Sequence, residues 1–333
     1  MGVNLRDLVL KHNIELDDLK GKKIAIDAYN QLYQYLATIR QPDGKPLTDS
    51  EGNVTSHLTG LFYRTINFIE AGIQPCFVFD GKAPIEKAGT QEARESVREE
   101  ARVKFAEALE KGDLEEARKY AQQTSRLTRE MVQETKELIG TMGLPWVQAL
   151  AEGEAQAAHM CLKGKVWAVA SQDYDSLLFG ATRLIRNLSI SGRKKISGKE
   201  AYQKTSIELI DLSETLNFLQ LDISGLVKAA LLVGTDYNPG GVSGVGPKNA
   251  IKVVREGKFD DYKDRIPNVS KLINLFLKHA VITDYVLDWK APNIAKIKEI
   301  LCARHEFSEE RVDSALKRIT GKDVEQKGLG EFV

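Results

Sequence analysis

The chain has 333 residues, 42% apolar and 28% charged, which suits a protein with a sizeable core and excludes disordered or fibrous classes. Its 47 basic residues equal its 47 acidic residues in number, which excludes a protein that binds nucleic acid through net positive charge alone. Separate basic and acidic patches on the surface remain compatible with this balance. Three cysteines without CxxC spacing indicate neither a disulfide framework nor a zinc site. No apolar run reaches the ~20 residues of a membrane span, and the N-terminus lacks a signal-peptide layout, so we expect a soluble intracellular protein.

Short apolar runs followed by polar or helical residues predict buried strands. They are Lys23–Asp27, Pro75–Asp80 and Val166–Ser171, and a further strand is expected from Thr182 to Asn187. Between the first two runs, apolar residues recur at helix spacing: Leu58, Leu61, Phe62, Ile66 and Ile69. Strands that alternate with helices predict an α/β fold, with a central, mostly parallel twisted sheet covered by helices on both faces.

The segment from Glu86 to Glu137 is dense in charged residues and is broken at Lys111–Asp113. It predicts two polar helices joined by a turn, either a solvated hairpin held by ion pairs or a binding element. The C-terminal third is predicted to be mostly helical. Asp222 is placed as the N-cap of one helix, and Pro247 suits the first position of another, after a Gly-rich loop.

Acidic residues recur where the predicted strands end, and two further segments carry acids that can join them. A single aspartate of this kind is more often a loop or helix cap, but three strand ends together favour a shared pocket. In parallel α/β sheets, ligands bind beyond the carboxyl ends of the strands. The acids are Asp27, Asp80, Glu152, Glu154, Asp173, Asp175 and Asp236.

Seven neighbouring carboxylates would raise one another's pKa values unless a cation neutralised them. Hard oxygen ligands without His or Cys select Mg²⁺ or Mn²⁺. Two such ions about 3.5–4 Å apart can activate water and stabilise the leaving oxygen of a phosphodiester, so the pattern predicts metal-dependent phosphodiester hydrolysis. Gly244, Gly246 and Lys248 lie at a predicted helix N-terminus, which is typical of a plain turn or of a helix–hairpin–helix contact to a nucleic-acid backbone.

These motifs resemble the structure-specific flap endonucleases of DNA replication and repair. The matching stretches are Ile26–Ala28, Thr55–Leu58, Phe62–Thr65, Val78–Lys82, Glu152–Ala155, Asp173–Asp175, Gly234–Tyr237, Gly244–Lys248 and Phe307–Val312. The resemblance covers nearly the whole chain. It implies cleavage of 5′ DNA flaps at junctions of single and double strands, with accompanying 5′–3′ exonuclease activity, in lagging-strand maturation and base-excision repair. It also implies two Mg²⁺ ions at the seven acids, replaceable by Mn²⁺, and a monovalent cation at the hairpin.

The resemblance assigns roles to further residues. Lys87 and Arg94 on the first helix of an arch would act at the scissile phosphate, and a spacing of seven points both side chains the same way. Tyr33 would stack on a base, although the sequence alone equally suits a core aromatic. The expected DNA contacts are Tyr33, Arg40, Thr55, Arg64, Gly234, Gly244, Gly246 and Lys248.

We expect one nuclease domain over residues 1–320, followed by a flexible tail over 321–333. Within the domain we expect an N-terminal nuclease region over 1–110, an arch over 86–137, an internal region with the helix–hairpin–helix over 138–260 and a helical region over 261–320. Gln326, Leu329 and Phe332 resemble a sliding-clamp motif, with Val333 in place of its second aromatic. The resemblance favours an archaeal, cytoplasmic protein (nuclear if eukaryotic) that acts as a monomer on flapped DNA and the clamp and binds no membrane.

Two alternatives remain open. The chain could belong to the 5′ exonuclease or excision-repair branch of the same superfamily, but the latter carries a far longer insertion than the roughly seventy residues between Asp80 and Glu152. It could instead be a non-catalytic adaptor for DNA junctions or the clamp. Decay of the metal site would be expected in such an adaptor, and none of the seven acids is missing.

Overall fold

The computed structural model describes residues 3–82, 87–189, 192–195 and 202–321. The strands are β1 (His12–Ile14), β2 (Lys23–Asp27), β3 (Gln74–Phe79), β4 (Trp146–Gln148), β5 (Ala168–Ala170), β6 (Arg183–Arg186), β7 (Gly192–Lys195), β8 (Tyr202–Thr205) and β9 (Ile207–Asp211). The helices are α1 (Ala28–Thr38), α2 (Ser56–Glu70), α3 (Ala88–Glu110), α4 (Leu114–Ala121), α5 (Arg129–Thr141), α6 (Gly153–Leu162), α7 (Asp175–Leu178), α8 (Leu212–Leu219), α9 (Ile223–Val233), α10 (Pro247–Arg255), α11 (Val269–Leu277), α12 (Ile294–Lys298) and α13 (Glu309–Thr320).

A seven-stranded sheet in the order β1-β9-β6-β5-β2-β3-β4 forms the centre of the molecule. Strand β2 pairs in parallel with β3 and β5, β3 pairs in parallel with β4, and β5 with β6. Only β9 runs against its neighbours β6 and β1 in this sheet, so the predicted, mostly parallel sheet is confirmed. Asp27 lies opposite Val78, and Ile26 lies opposite Ala170. The carboxyl ends of three strands therefore meet at one edge.

Helices cover both faces of the sheet because alternate strand residues point to opposite sides. On β2, Ile24 and Ile26 belong to a core shared with α1, α2, α5 and α13, whereas Ala25 belongs to the core shared with α6 and α9. Burial of each large aliphatic side chain contributes about 1.5–3 kcal/mol. This two-sided packing makes the sheet a rigid base for the loops at its edge.

The predicted two-helix arch contains more helices than expected. The first, α3, runs without interruption to Glu110, and the break lies where it was predicted, at Gly112 with a φ of 70°. Asp113 then caps α4 by accepting a hydrogen bond from the Glu116 N–H at 2.9 Å. The second predicted helix ends at Ala121, and Thr128 caps a separate helix, α5, which packs against α2 and extends beyond the expected boundary.

The C-terminal third is mostly helical, as predicted. The Asp222 carboxylate accepts a hydrogen bond from the Gly225 N–H at 2.7 Å, and Pro247 opens α10, so both predicted helix starts are confirmed. Between them the loop folds tightly onto α9: a Cβ on Gly241, which has a φ of 57°, would lie 2.4 Å from the Leu232 carbonyl oxygen. Only glycine fits this position.

Within the described residues, no single helix is long and apolar enough to cross a membrane. One bent pair, α8 with α9, meets the criteria of length and composition.

Candidate active site

Asp27 occupies the end of β2 and starts the next helix. Its carboxylate accepts a hydrogen bond from the Asn30 N–H at 3.0 Å, so it is the N-cap of α1. The Ser171 hydroxyl, at the end of β5, lies 3.3 Å from the Asp27 carboxylate and 3.2 Å from that of Glu154. One hydroxyl therefore holds together two of the predicted acids, which come from different elements.

Asp80 and the start of α6 are joined in the same way. The Asp80 carboxylate accepts the Gly153 N–H at 2.6 Å, between the two glutamates Glu152 and Glu154. A Cβ on Gly153 would lie 2.8 Å from that carboxylate oxygen, so a larger residue here would displace the Asp80 side chain from its present position. The Gln148 amide donates to the Asp80 carbonyl at 2.5 Å and fixes the loop from the next strand.

The remaining three acids lie on the turn after β5 and on the loop after α9. Asn30 donates its side-chain amide to the Asp173 carboxylate at 3.3 Å, and Asp175 accepts the backbone N–H of Val3 at 2.7 Å. Asp236 is 6% exposed and faces the arch. The structure thus places all seven predicted acids at this edge of the sheet, linked through short polar contacts or through mutual charge.

The electrostatics of the pocket reflect this crowding. Burial, and then the charge of Asp80, raise the pKa of Asp27 to about 8. Burial is also the main cause that raises the pKa of Asp175 to about 7. Burial, and then the charge of Glu152, raise the pKa of Asp80 to about 6. Burial and the charge of Asp175 hold the pKa of Glu154 well above its usual range. The pocket therefore strongly favours a bound cation.

Two cationic side chains of the arch reach into this pocket. The Lys87 ammonium lies 2.5 Å from the Glu152 carboxylate and 3.6 Å from that of Asp236, and the Arg94 guanidinium lies 2.6 Å from Asp236. The Thr90 hydroxyl, between them on the same face of α3, donates to the Asp236 carbonyl at 2.5 Å. Burial alone would lower the pKa of Lys87, but the neighbouring carboxylates outweigh it and raise that pKa.

The donor set fits divalent cations that prefer oxygen. Across residues 3–82, 87–189 and 202–321, no three Asp, Glu, His or Cys side chains have an arrangement that would hold a metal ion as they stand. The Lys87 ammonium lies among the acids instead and neutralises part of their charge. Carboxylate oxygens with raised pKa values and without soft ligands suit Mg²⁺ or Mn²⁺. Rotation of these carboxylates towards a shared centre would be part of binding.

The predicted DNA-contact residues occupy different settings. Tyr33, on α1 beside the pocket, has the Arg98 guanidinium 5.6 Å from its ring centre. Arg40 instead donates to the Gly44 carbonyl and the Ser125 hydroxyl, at 2.8 and 2.7 Å. Thr55 is buried before α2, so these two residues are engaged within the protein.

Arg64 lines a separate cavity of about 430 Å³ together with Asn67 and Glu70. The glycines of the loop after α9 shape two helix ends. Gly234 ends α9 with a φ of 114°, and Gly246 is the N-cap of α10, with Lys248 in its first turn. Gly244 has a φ of 83°.

A cavity of about 600 Å³ opens between α3 and this loop, lined by Thr90, Arg94, Val97, Gly234 and Pro239 among others. The predicted clamp-binding residues Gln326, Leu329 and Phe332 lie outside the described residues. Sequence reasoning missed Asn30 and Ser171 as partners of the acids. A signal for Asn30 exists, since it stands three residues after Asp27, the spacing of an N-cap and its N3 residue.

Comparisons with known proteins identify the family of the chain. The XPG N-terminal domain matches residues 1–101, and the XPG I-region matches residues 143–236. Flap endonuclease 1 of Staphylothermus marinus is 51% identical to this chain and aligns with 99% of it and 98% of the relative; that of Pyrococcus furiosus is 51% identical, with 96% and 95% aligned.

Solved structures are similar as well. Flap endonuclease-1 from Methanococcus jannaschii superposes with a TM-score of 0.78 at 41% identity, over 96% of this chain and 98% of that one. The catalytic core of Rad2 in complex with a DNA substrate shares the fold at 23% identity, with a TM-score of 0.71 and 96% and 100% coverage. The two flap endonuclease 1 relatives agree with the predicted archaeal source. The chain is therefore a nuclease that belongs to the flap endonuclease 1 family.

Proposed function

We propose that this protein cuts 5′ DNA flaps at junctions of single and double strands by metal-dependent phosphodiester hydrolysis. The observation that carries the proposal is the joining of seven acids from separate segments beneath an arch helix whose Lys87 and Arg94 reach into the same pocket. The acids would hold two Mg²⁺ ions, for which Mn²⁺ would substitute. The curated relatives carry the name flap endonuclease 1, which supports this substrate class.

The protein's own groups would do the following. When bound, the ions would supply a nucleophilic water and charge stabilisation at the leaving oxygen. Lys87 and Arg94, now paired with Glu152 and Asp236, would turn to the scissile phosphate and stabilise the charge that develops there. Thr90 would keep the intervening turn of α3 next to Asp236.

The DNA would contact three surfaces around this pocket. Tyr33 would stack on the base beside the cut, and the cavity between α3 and the Gly-rich loop would admit the flap. Backbone N–H groups from Gly244 to Gly246, with Lys248, would contact the downstream duplex with help from a monovalent cation. Arg40, Thr55 and Arg64 would contact the template or an upstream 3′ flap, and Gly234 is a further proposed DNA contact.

We extend the proposal to the cellular setting. The enzyme would act as a monomer in lagging-strand maturation and base-excision repair, in the cytoplasm of an archaeal cell. Gln326, Leu329 and Phe332 would bind a sliding clamp, more weakly than a motif with two aromatic residues because Val333 replaces the second. Accompanying 5′–3′ exonuclease activity would follow from the same pocket.

A double-flap DNA labelled at its 5′ end tests the proposal, with Asp175→Asn as the inactive variant and Asp222→Asn as the matched control. Asp222 is also an aspartate at a helix start, but it caps α9 away from the pocket, and asparagine retains capping. We expect incision at the junction in Mg²⁺ by the wild type and by Asp222→Asn, and DNA binding without incision by Asp175→Asn. Equal cutting of linear single strands would refute junction specificity.

Two further arms distinguish the alternatives. If products from a nicked duplex dominate over those from a long flap, the enzyme is primarily a 5′ exonuclease. Calorimetric titration of the metal-free protein with Mg²⁺ or Mn²⁺ addresses the adaptor hypothesis. If neither metal binds, the protein is a non-catalytic junction binder.

A further inference from the structure

We propose that Arg186, the last residue of β6, is a positioning residue for the turn that carries Asp173 and Asp175. The proposal rests on the proposed function, since it takes these two acids to be metal ligands. Arg186 does not touch either carboxylate. It acts through Gln172 and Tyr174, the residues on each side of Asp173.

The guanidinium makes three contacts with the turn. Its Nε donates to the Gln172 carbonyl oxygen at 3.0 Å, and its Nη1 donates to the Tyr174 hydroxyl at 2.6 Å. The guanidinium carbon lies 4.2 Å from the centre of the Tyr174 ring. These contacts fix the backbone before Asp173 and the side chain after it, which leaves the turn little freedom to rotate.

The opposite side of the turn is held by Asn30. Its side-chain oxygen accepts the Gln172 N–H at 3.2 Å, and its amide nitrogen lies 3.3 Å from the Asp173 carboxylate. Gln172 is therefore held at its N–H by α1 and at its carbonyl by Arg186. The backbone before Asp173 can shift only if one of these two contacts breaks, whereas the Asp173 carboxylate itself can still rotate towards a metal.

Arg186 is itself anchored by the sheet. Glu208 lies directly opposite it in the β6–β9 pair and accepts its Nη1 at 2.8 Å. The Lys11 ammonium lies 3.8 Å from the same carboxylate and 5.7 Å from the Tyr174 ring centre. Because Arg186 and Glu208 are only 18% and 23% exposed, water competes weakly for these contacts. The turn is thereby fixed to an antiparallel strand pair rather than to a mobile loop.

The chemistry requires arginine. A planar guanidinium can donate in two directions in one plane and stack on an aromatic ring through its face, whereas a lysine ammonium is a single point charge. Lysine at this position could keep the ion pair with Glu208. It could not also reach the Gln172 carbonyl and stack on Tyr174.

Two variants of the full-length protein, Arg186→Gln and Arg186→Lys, test the proposal, with Arg183→Gln as the matched control. Arg183 lies on the same strand, but its guanidinium packs 5.1 Å from the Trp167 ring centre and 3.7 Å from Asp211, away from the turn. The readouts are Mg²⁺ affinity of the metal-free protein by calorimetry and the Mg²⁺ concentration for half-maximal flap cleavage.

Outer-sphere partners of metal ligands typically contribute 10- to 100-fold to metal affinity. Because Arg186 acts through the neighbours of the two acids, we expect Arg186→Gln to weaken Mg²⁺ binding by the lower end of this range, about 10-fold, with cleavage partly recovered at high Mg²⁺ and flap binding unchanged. Arg186→Lys should fall between it and the wild type, and Arg183→Gln should match the wild type. Tyr174→Phe, which removes one acceptor only, should give a smaller shift in the same direction and replaces Arg186→Gln if that variant fails to fold.

Equal Mg²⁺ affinity in Arg186→Gln and Arg183→Gln would overturn the positioning role. Asp175→Asn keeps this outcome distinct from failure of the proposed function. If Asp175→Asn neither binds Mg²⁺ normally nor cuts, the metal site is correct and only the role of Arg186 is refuted. If Asp175→Asn binds and cuts like the wild type, the proposed function itself is wrong.

Discussion

Replacement of Asp27 by asparagine should stabilise the metal-free protein while abolishing cleavage. Burial and the neighbouring acids raise the pKa of this carboxyl to about 8, so the folded state holds a proton that the unfolded state releases near pH 4. The folded state therefore binds more protons between pH 4 and pH 8, and this contribution to stability falls as the pH rises through that range. Asp175 and Asp80, with pKa values of about 7 and about 6, change stability in the same direction.

The magnitude follows from the Asp27 shift. Each pKa unit corresponds to about 1.4 kcal/mol of free energy. The Asp27 carboxyl has an ordinary pKa of 3.8 but stays protonated in the folded state at pH 7, and keeping it protonated there lowers the free energy of unfolding by on the order of 4 kcal/mol. Asparagine needs no proton, and its side-chain oxygen can still accept the Asn30 N–H as an N-cap. We expect a gain of up to about 4 kcal/mol at pH 7, a rise of several degrees in Tm, and a smaller gain at pH 5.

Thermal denaturation in a chelating buffer from pH 5 to pH 9 measures this gain. Asp49→Asn is the matched control, because Asp49 is also buried but its hydrogen bonds with His305 and Asn53 outweigh burial and lower its pKa. Asp49→Asn should destabilise at neutral pH, the opposite sign. Addition of Mg²⁺ should raise the Tm of the wild type and not that of Asp27→Asn. A lower Tm of metal-free Asp27→Asn at pH 8 would refute the reasoning.

Three further predictions concern the arch, the Gly-rich loop and two buried histidines. Arg94→Ala should lower single-turnover cleavage about 10²- to 10³-fold, with flap affinity by anisotropy changed much less. Gly241→Ala should lower the Tm more than Gly240→Ala, since both glycines have positive φ but only the former would press a Cβ against the backbone of α9. Glu134→Gln should lower the free energy of unfolding in urea by about 0.2–1 kcal/mol, because the buried rings of His57 and His305, whose Nε2 atoms lie 3.7 and 3.3 Å from the Glu134 carboxylate, lose a partly exposed anionic neighbour; unchanged stability would contradict this.

The central strands and their neighbouring helices could be predicted because each is a continuous apolar run or an apolar stripe. Strands β1, β4 and β9 could not. β1 and β4 have three residues each, and the partners of all three are chosen by tertiary packing rather than by local pattern. The second arch helix is predicted as one helix but is two, α4 and α5, for a related reason. Polar sequence gives no apolar period, so the loop before α5 left no clear signal apart from Thr128 as a cap.

The acids of the site could be predicted because parallel strands bring their carboxyl ends to one edge. The supporting contacts could not, because they depend on side-chain directions that no spacing specifies. Ser171 lies between Asp27 and Glu154 only once β2 and β5 are paired. Arg186 reaches the turn of Asp173 only because β6 lies beside β5.

Although the net charge of the chain is zero, acidic side chains are concentrated in the pocket and basic side chains of the arch face them. This arrangement affects how the site would bind DNA. Lys87 is the N-cap of α3 and lies on the same side as Arg94 and Arg98 of that helix; Lys87 and Arg94 are paired with acids of the pocket. Arg98 lies over the Tyr33 ring. On the proposed function, a flap base that stacks on Tyr33 must take the place of Arg98, and a phosphate must draw Arg94 from its carboxylate.

In both exchanges one charged partner replaces another of the same sign. Divalent cations would take the place of Lys87 and Arg94 beside the acids, and DNA phosphates would take the place of the acids beside Lys87 and Arg94. The two exchanges are therefore coupled: metal without DNA places cations opposite cations, and DNA without metal leaves the acids facing phosphate. This coupling explains why a neutral protein can form a site for a polyanion. Lys87 and Arg94 are neutralised by the acidic pocket until both charged ligands arrive.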